Sequence, residues 1–280
     1  MRAILFAVVI AAIVLTASPR AQETGTVGVK PATPGSYDAI LDMYVRDGMV
    51  YYRALKAERG RFDALTGQMG TASIDALSRE EKIAFWLNAY NALVLKTVID
   101  HYPIQGQAKT YPPHSVRQIP GAFDKTAHRV AGRTLTLDQI EQTVLAEFHD
   151  PRLYLALGRG AIGGGRLRSE AFAAPTIEAQ LGEVASECVS RSQCVQIDRA
   201  DNKMAVTPIF SWREKDFTAA YADKAPKTYA ARSPLERAIL AFVEPRLLTT
   251  EKEVLEKNTF QLVYAPFDWT LNDLTGRGGR

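Results

Sequence analysis

The chain has 280 residues, 46% of them apolar or aromatic, with 34 basic and 31 acidic side chains and a formal net charge of +3. A balance this close to neutral calls for no nucleic-acid partner, and the apolar share excludes a wholly disordered chain. The length is enough to bury a sizeable core without help from disulfides, and one domain is the simplest count.

Arg2 precedes a fifteen-residue run, AILFAVVIAAIVLTA, that is apolar apart from one threonine. That is the length of a signal-peptide core and short for a membrane span. Residues 1–21 are therefore expected to be a signal peptide cut after Ala21, with the protein periplasmic or secreted. The alternative is an uncleaved anchor, the one expected route to a membrane. Cleavage would remove Arg2 and Arg20, leaving 32 basic and 31 acidic side chains, a net charge of +1. Residues 22–36, rich in Gly, Pro and Thr, read as a flexible leader. A single globular domain is expected over 37–273, and 274–280 read as a disordered tail.

Within the domain the spacing predicts a helix over 37–46, stopped by Asp47-Gly48. A short extended MVYYR and a helical stretch over 54–69 follow. Ser78-Arg-Glu-Glu81 is a capping box, opening a helix to about Asp100. Ile83, Trp86, Tyr90, Leu93, Val94 and Thr97 form its stripe, and Phe85 and Leu95 fall outside it. A helix apolar on nearly all sides is a buried, central one. Residues 102–132 read as irregular. Thr136 to Gln139 is a second capping box, with a helix to Phe148, and 152–157 read as an apolar strand. After a glycine loop comes a helix over 177–189. CVQID and KMAVT around RADN read as a hairpin. Ser233-Pro-Leu-Glu236 opens a helix to Val243, TEKE a short one, and FQLVY at 260–264 is a strand. Helices outnumber short, partly hairpin-linked strands. The fold class is α+β: a helix-rich single domain with a small, partly antiparallel sheet and a buried central helix.

Cys188 and Cys194 are the two cysteines. An exported chain favours a structural disulfide between them, closing a short loop worth about 2 kcal/mol; two free thiols are the alternative. Their spacing suits neither zinc nor a redox motif.

Gly158, Gly160 and Gly163 have the dinucleotide-binding spacing G-x-G-x-x-G. That site needs a helix to open at once on the loop, with a second parallel strand after it. Here Gly164 and Gly165 follow, three successive glycines open a helix poorly, and the next helical spacing begins near Thr176. No nicotinamide, flavin or other cofactor is expected. Arg159, Arg166 and Arg168 beside the loop suggest instead a cup for a carboxylate or phosphate. The alternative is a surface loop whose arginines pair with acids such as Glu170. His101, His114, His128 and His149 are scattered, and no metal site is expected. Ser115 and Ser169 lack a nucleophile's context, and no paired carboxylates stand out.

Taken in order, the segments YVRDGMVYYRAL (44–55), EKIAFWLNAYNALVLKTVIDHYP (81–103), HSVRQIPGAFD (114–124) and VAGRTLTLDQIEQTVL (130–145) have a familiar look. DPRLYLALGRGAIGGGRLRSEAF (150–172), VTPIFSWREKDF (206–217) and YAPFDWTLND (264–273) complete the series. Together they resemble the domain-of-unknown-function family numbered 547 over residues 37–273. Many members resemble ALNCGAxSCPPL where this chain has ALGRGAIGGGRL. Arg159 and Gly164 stand at the two cysteine positions, so thiolate chemistry is not open to this chain. The resemblance implies no activity.

Asn88 and Asn91 lie among apolar neighbours on the central helix. A buried amide must be bonded, because leaving it bare costs about 1–3 kcal/mol. The partner is either backbone of another segment or a ligand. Asp268, Trp269 and Asn272 follow the last strand, and the occurrence of both motifs in the family that the chain resembles implies that Asp268 pairs with an arginine of the glycine loop. Two functions fit. The first is a non-thiol binding module for an anionic small molecule or peptide carboxylate. The second is a hydrolase or transferase whose Arg159 and loop amides stabilise a developing anion, with Asp268 or Glu170 as the acid–base group.

Overall fold

The computed structural model describes residues 34–275. The expected signal peptide, most of the leader and residues 276–280 lie outside them. Helix α1 (Pro34–Tyr44) starts three residues before the expected 37. Strands β1 (Val45–Arg46) and β2 (Met49–Val50) form an antiparallel hairpin. Asp47 and Gly48 both have positive φ at its turn, the combination a tight hairpin needs. The single helical stretch expected over 54–69 is two helices, α2 (Tyr52–Ala57) and α3 (Gly60–Thr71).

Helix α4 (Arg79–His101) is the centre of the molecule. Ser78 caps it, and both bonds of the capping box are formed. Every residue from Ile83 to Ile99 except Lys96 is buried. It packs against α2, α3, α5 (Leu137–Gln139) and α7 (Ile177–Ser190). The Thr136 capping box is also formed. Beyond α5 the chain widens into a π turn, Ile140–Val144, and then tightens into a 3-10 turn, Leu145–Phe148.

Two readings are corrected. Residues 102–132 are not wholly irregular: β3 (His128–Val130) pairs antiparallel with β4 (Arg133–Leu135). The apolar run at 152–157 is not a strand. It is one helical turn, α6 (Arg152–Leu155), running into the glycine loop. A short run buried on all sides has no periodicity to tell the two apart.

Strands β5 (Val195–Asp198) and β6 (Lys203–Val206) form the expected hairpin. Strand β7 (Gln261–Tyr264) joins β6 in parallel, so the largest sheet is three-stranded and mixed. Between β6 and β7 lie α8 (Ile209–Trp212), α9 (Glu214–Tyr221), α10 (Pro234–Val243) and α11 (Thr249–Glu256). Phe210, Phe217 and Phe242 pack edge-to-face among them, with centroids 4.7–5.7 Å apart. Buried side chains from α1 through Leu271 form one continuous apolar cluster. The fold is α+β, helix-rich, with small antiparallel and mixed sheets. Among the described residues no helix is long and apolar enough to cross a membrane.

Candidate functional site

The glycine loop is a packing device. A Cβ on Gly164 would lie 2.2 Å from the Gly158 carbonyl oxygen, and one on Gly165 2.0 Å from that of Leu155. No side chain fits at either position, a cysteine at 164 included. Backbones this close let the loop spend its amides on itself and on the chain's end. Gly165 N–H donates to Leu157 O, Gly164 N–H to Ala161 O, and Gly163 N–H to Asp268 O at 2.9 Å. Ile162 N–H donates to Thr270 O, and Ala161 bridges Leu271. The loop and the Asp268–Asn272 segment are therefore joined face to face, and the loop amides from Ala161 to Gly165 are committed within the protein.

The asparagines brace this arrangement. Asn91 Nδ2 donates to Ala156 O while its Oδ1 accepts from Gly158 N–H. Asn88 makes the same pair of bonds with the Phe172 backbone. Asn272 accepts from Tyr52 Oη at 2.6 Å and donates to Gly48 O, tying the segment after β7 to the β1–β2 turn. The Asp268 carboxylate accepts from Thr270 N–H. Among the described residues it forms no ion pair, so the expected partnership with a loop arginine is not made.

The three loop arginines have separate fates. Arg166 is paired with Asp47 and Glu187, and Arg168 with Glu170 and Glu183. They line an open polar groove of about 440 Å³ in which each guanidinium already has two carboxylates. The hydrogen bond from Arg168 holds the Glu170 carboxyl below its ordinary range. Arg159 points the other way. It is buried, with positive φ, and donates to Glu141 at 2.6 Å and to the Tyr154 and Leu157 carbonyls at 3.1 Å. Burial opposes its charge, but Glu141 more than offsets this and its pKa is raised.

Arg159 leads to a second cleft, of about 520 Å³, lined by Arg117, Phe123, Asp138, Glu141, Gln142, Arg159, Trp212, Arg213 and Trp269. The capping box and the π turn put Asp138 and Glu141 on its wall together, a carboxyl pair that sequence reading missed. An acid at the second helical position with another three residues on was the available signal. Glu141 is engaged by Arg159 and accepts from Tyr90 Oη at 3.3 Å. Asp138 is half-buried, and its carboxyl has no hydrogen bond or ion pair among the described residues. Burial, and then the Glu141 charge, raise its pKa. Arg213 pairs with Asp216 and lies 3.7 Å over the Tyr154 ring.

Arg117 is different. Its guanidinium lies 4.3 Å over Trp269 and 4.7 Å over Phe123. Among the described residues it has no carboxylate within ion-pair distance. It stands exposed in the 3-10 turn Val116–Gln118, which Ser115 caps. No local periodicity marks such a residue in the sequence. Of the expected site residues, the structure brings Arg159 and Trp269 to this cleft. Arg166, Arg168 and Glu170 go to the other groove, and Asn88, Asn91 and Asn272 to bracing roles. Cys188 and Cys194 form a disulfide with Cα atoms 5.3 Å apart. Among the described residues no cluster of three His, Cys, Asp or Glu side chains could hold a metal ion.

No curated protein and no solved structure matches the chain. Residues 74–189, from the approach to α4 through α7, match the model of the family described as "Protein of unknown function, DUF547".

Proposed function

We propose that the protein is a binding module for an anionic small molecule or a peptide carboxylate, held in the cleft under Arg117. The observation that carries this reading is the state of Arg117. Arg159, Arg166, Arg168 and Arg213 all have carboxylate partners inside the protein. Arg117 has rings beneath it instead, at 4.3 and 4.7 Å. Stacking fixes the plane of a guanidinium and leaves its N–H edge free for a bidentate anion. A thermal-shift series with succinate, benzoate and inorganic phosphate tests the reading. At least one of these anions should raise the melting temperature of the wild type and of Arg166→Ala, and should not raise that of Arg117→Ala. A shift that survives Arg117→Ala rules the cleft out.

A second reading, a hydrolase or transferase, draws support from Asp138. A partnerless carboxyl whose pKa is lifted by burial suits proton transfer, and its neighbour Glu141 is tied to Arg159. Asp138 replaces the groups expected from sequence. Glu170 is held low by Arg168, and the Asp268 carboxylate is turned onto Thr270.

A further inference from the structure

The anion reading names one corner of the cleft and leaves its other features unused. Trp212 keeps 46% of its surface exposed, among the few large apolar side chains to do so. Its ring is nearly parallel to that of Trp269, 20° apart with centroids at 6.4 Å. Phe267 wedges against both, at 5.0 and 4.4 Å, and Tyr111 and Phe123 stand edge-on to Trp269. The result is a row of rings that starts under Arg117 and ends in an open indole at the cleft rim. The same cleft is lined by the free carboxyl of Asp138 and the amide of Gln142.

A plain anion answers to Arg117 alone. It sets its charge towards Asp138 and leaves the indole of Trp212 bare. The missing complements are hydroxyls, which bond a carboxyl or an amide, and a flat C–H face, which lies on the electron-rich face of an aromatic ring. One ligand class carries carboxylate, hydroxyls and C–H faces on successive rings. We infer that the cleft takes an acidic saccharide, a short chain of uronic-acid units. One carboxylate bonds Arg117, ring hydroxyls meet Asp138 and Gln142, and a neighbouring ring lies on Trp212. This inference rests on the anion reading above and narrows it.

Calorimetric titration of the full chain separates the two. The probes are tri-galacturonate, succinate and N-acetylated tri-alanine with a free C-terminus. Tri-galacturonate should bind at least tenfold more tightly than succinate or the peptide. Trp212→Ala should weaken the trisaccharide at least tenfold and change succinate less than twofold, while Arg117→Ala should abolish both. The partly exposed Trp212 can be removed without emptying the core, and an unchanged circular dichroism spectrum and melting temperature check this. Peptide binding as tight as the trisaccharide's, or a trisaccharide indifferent to Trp212→Ala, overturns the saccharide inference and leaves the anion reading standing. Failure of all three probes overturns the saccharide inference, and it overturns the anion reading as well when benzoate and phosphate also leave the wild-type melting temperature unchanged.

Discussion

At the scale of single residues the cleft is defined by which charges the protein has already neutralised. Buried Arg159 pairs with the half-buried Glu141; Arg159 also donates to two carbonyls and Glu141 also accepts from Tyr90, so neither charge is left bare. Arg117 and Asp138 are the charged groups of the cleft that no ion pair among the described residues takes up. His128 shows the same accounting away from the cleft. It is buried beside Thr97, and burial, with the Lys96 charge second, lowers its pKa from the ordinary 6.5. The unfolded chain then takes up the proton at a higher pH than the folded one. Stability is full above pH 6.5 and falls as the pH drops from there through the lower folded value. Urea titrations should show this fall, and His128→Gln should flatten it. An unchanged slope in that variant would place the acid sensitivity elsewhere.

At the scale of elements, the helices were legible where their ends carry chemistry. The capping boxes at Ser78, Thr136 and Ser233 are all formed. The hairpin of β5 and β6 was legible for the same kind of reason, two short runs around a polar turn. The π turn after α5 was not, because a single widened turn leaves the apolar spacing almost unchanged. It holds Glu141, and with it half of the carboxyl pair. The glycine loop is the element whose composition says most and whose role says least in sequence. Gly164 abuts the Gly158 backbone, whereas a Cβ on Gly182 in α7 meets nothing within 4 Å. Gly164→Ala should therefore destabilise by about 1–3 kcal/mol through forced backbone displacement. Gly182→Ala should stabilise by about 0.5–1 kcal/mol, since alanine loses less freedom in a helix. Chemical denaturation of the two variants checks the contrast, and similar small changes for both would mean that the loop yields.

At the scale of the whole molecule, distant segments converge on the loop. Gly48 bridges Leu167, Val50 bridges Asp273, and Ala161 bridges Leu271. Leu274, assigned to the tail from sequence, donates to Val50 O. The disulfide belongs to the same system. Arg191 sits inside the loop that Cys188 and Cys194 close, and its guanidinium donates to Ile162 O at 3.0 Å and to Gly164 O. Replacing both cysteines with serine should cost about 2 kcal/mol by the closure entropy of so short a loop. It should also speed amide hydrogen exchange over 161–165; protection there identical to the wild type would separate the disulfide from the loop. The sequence by itself determined the α+β class, the buried central helix and the hairpin, since periodicity, caps and short spacings are local properties. Only the tertiary structure decided that the run at 152–157 coils, that β7 lies parallel to β6, and that Arg117, Asp138, Trp212 and Trp269 share a cleft. Those facts depend on which charges and faces remain unpartnered once every other contact is made, and that is settled across the whole chain at once.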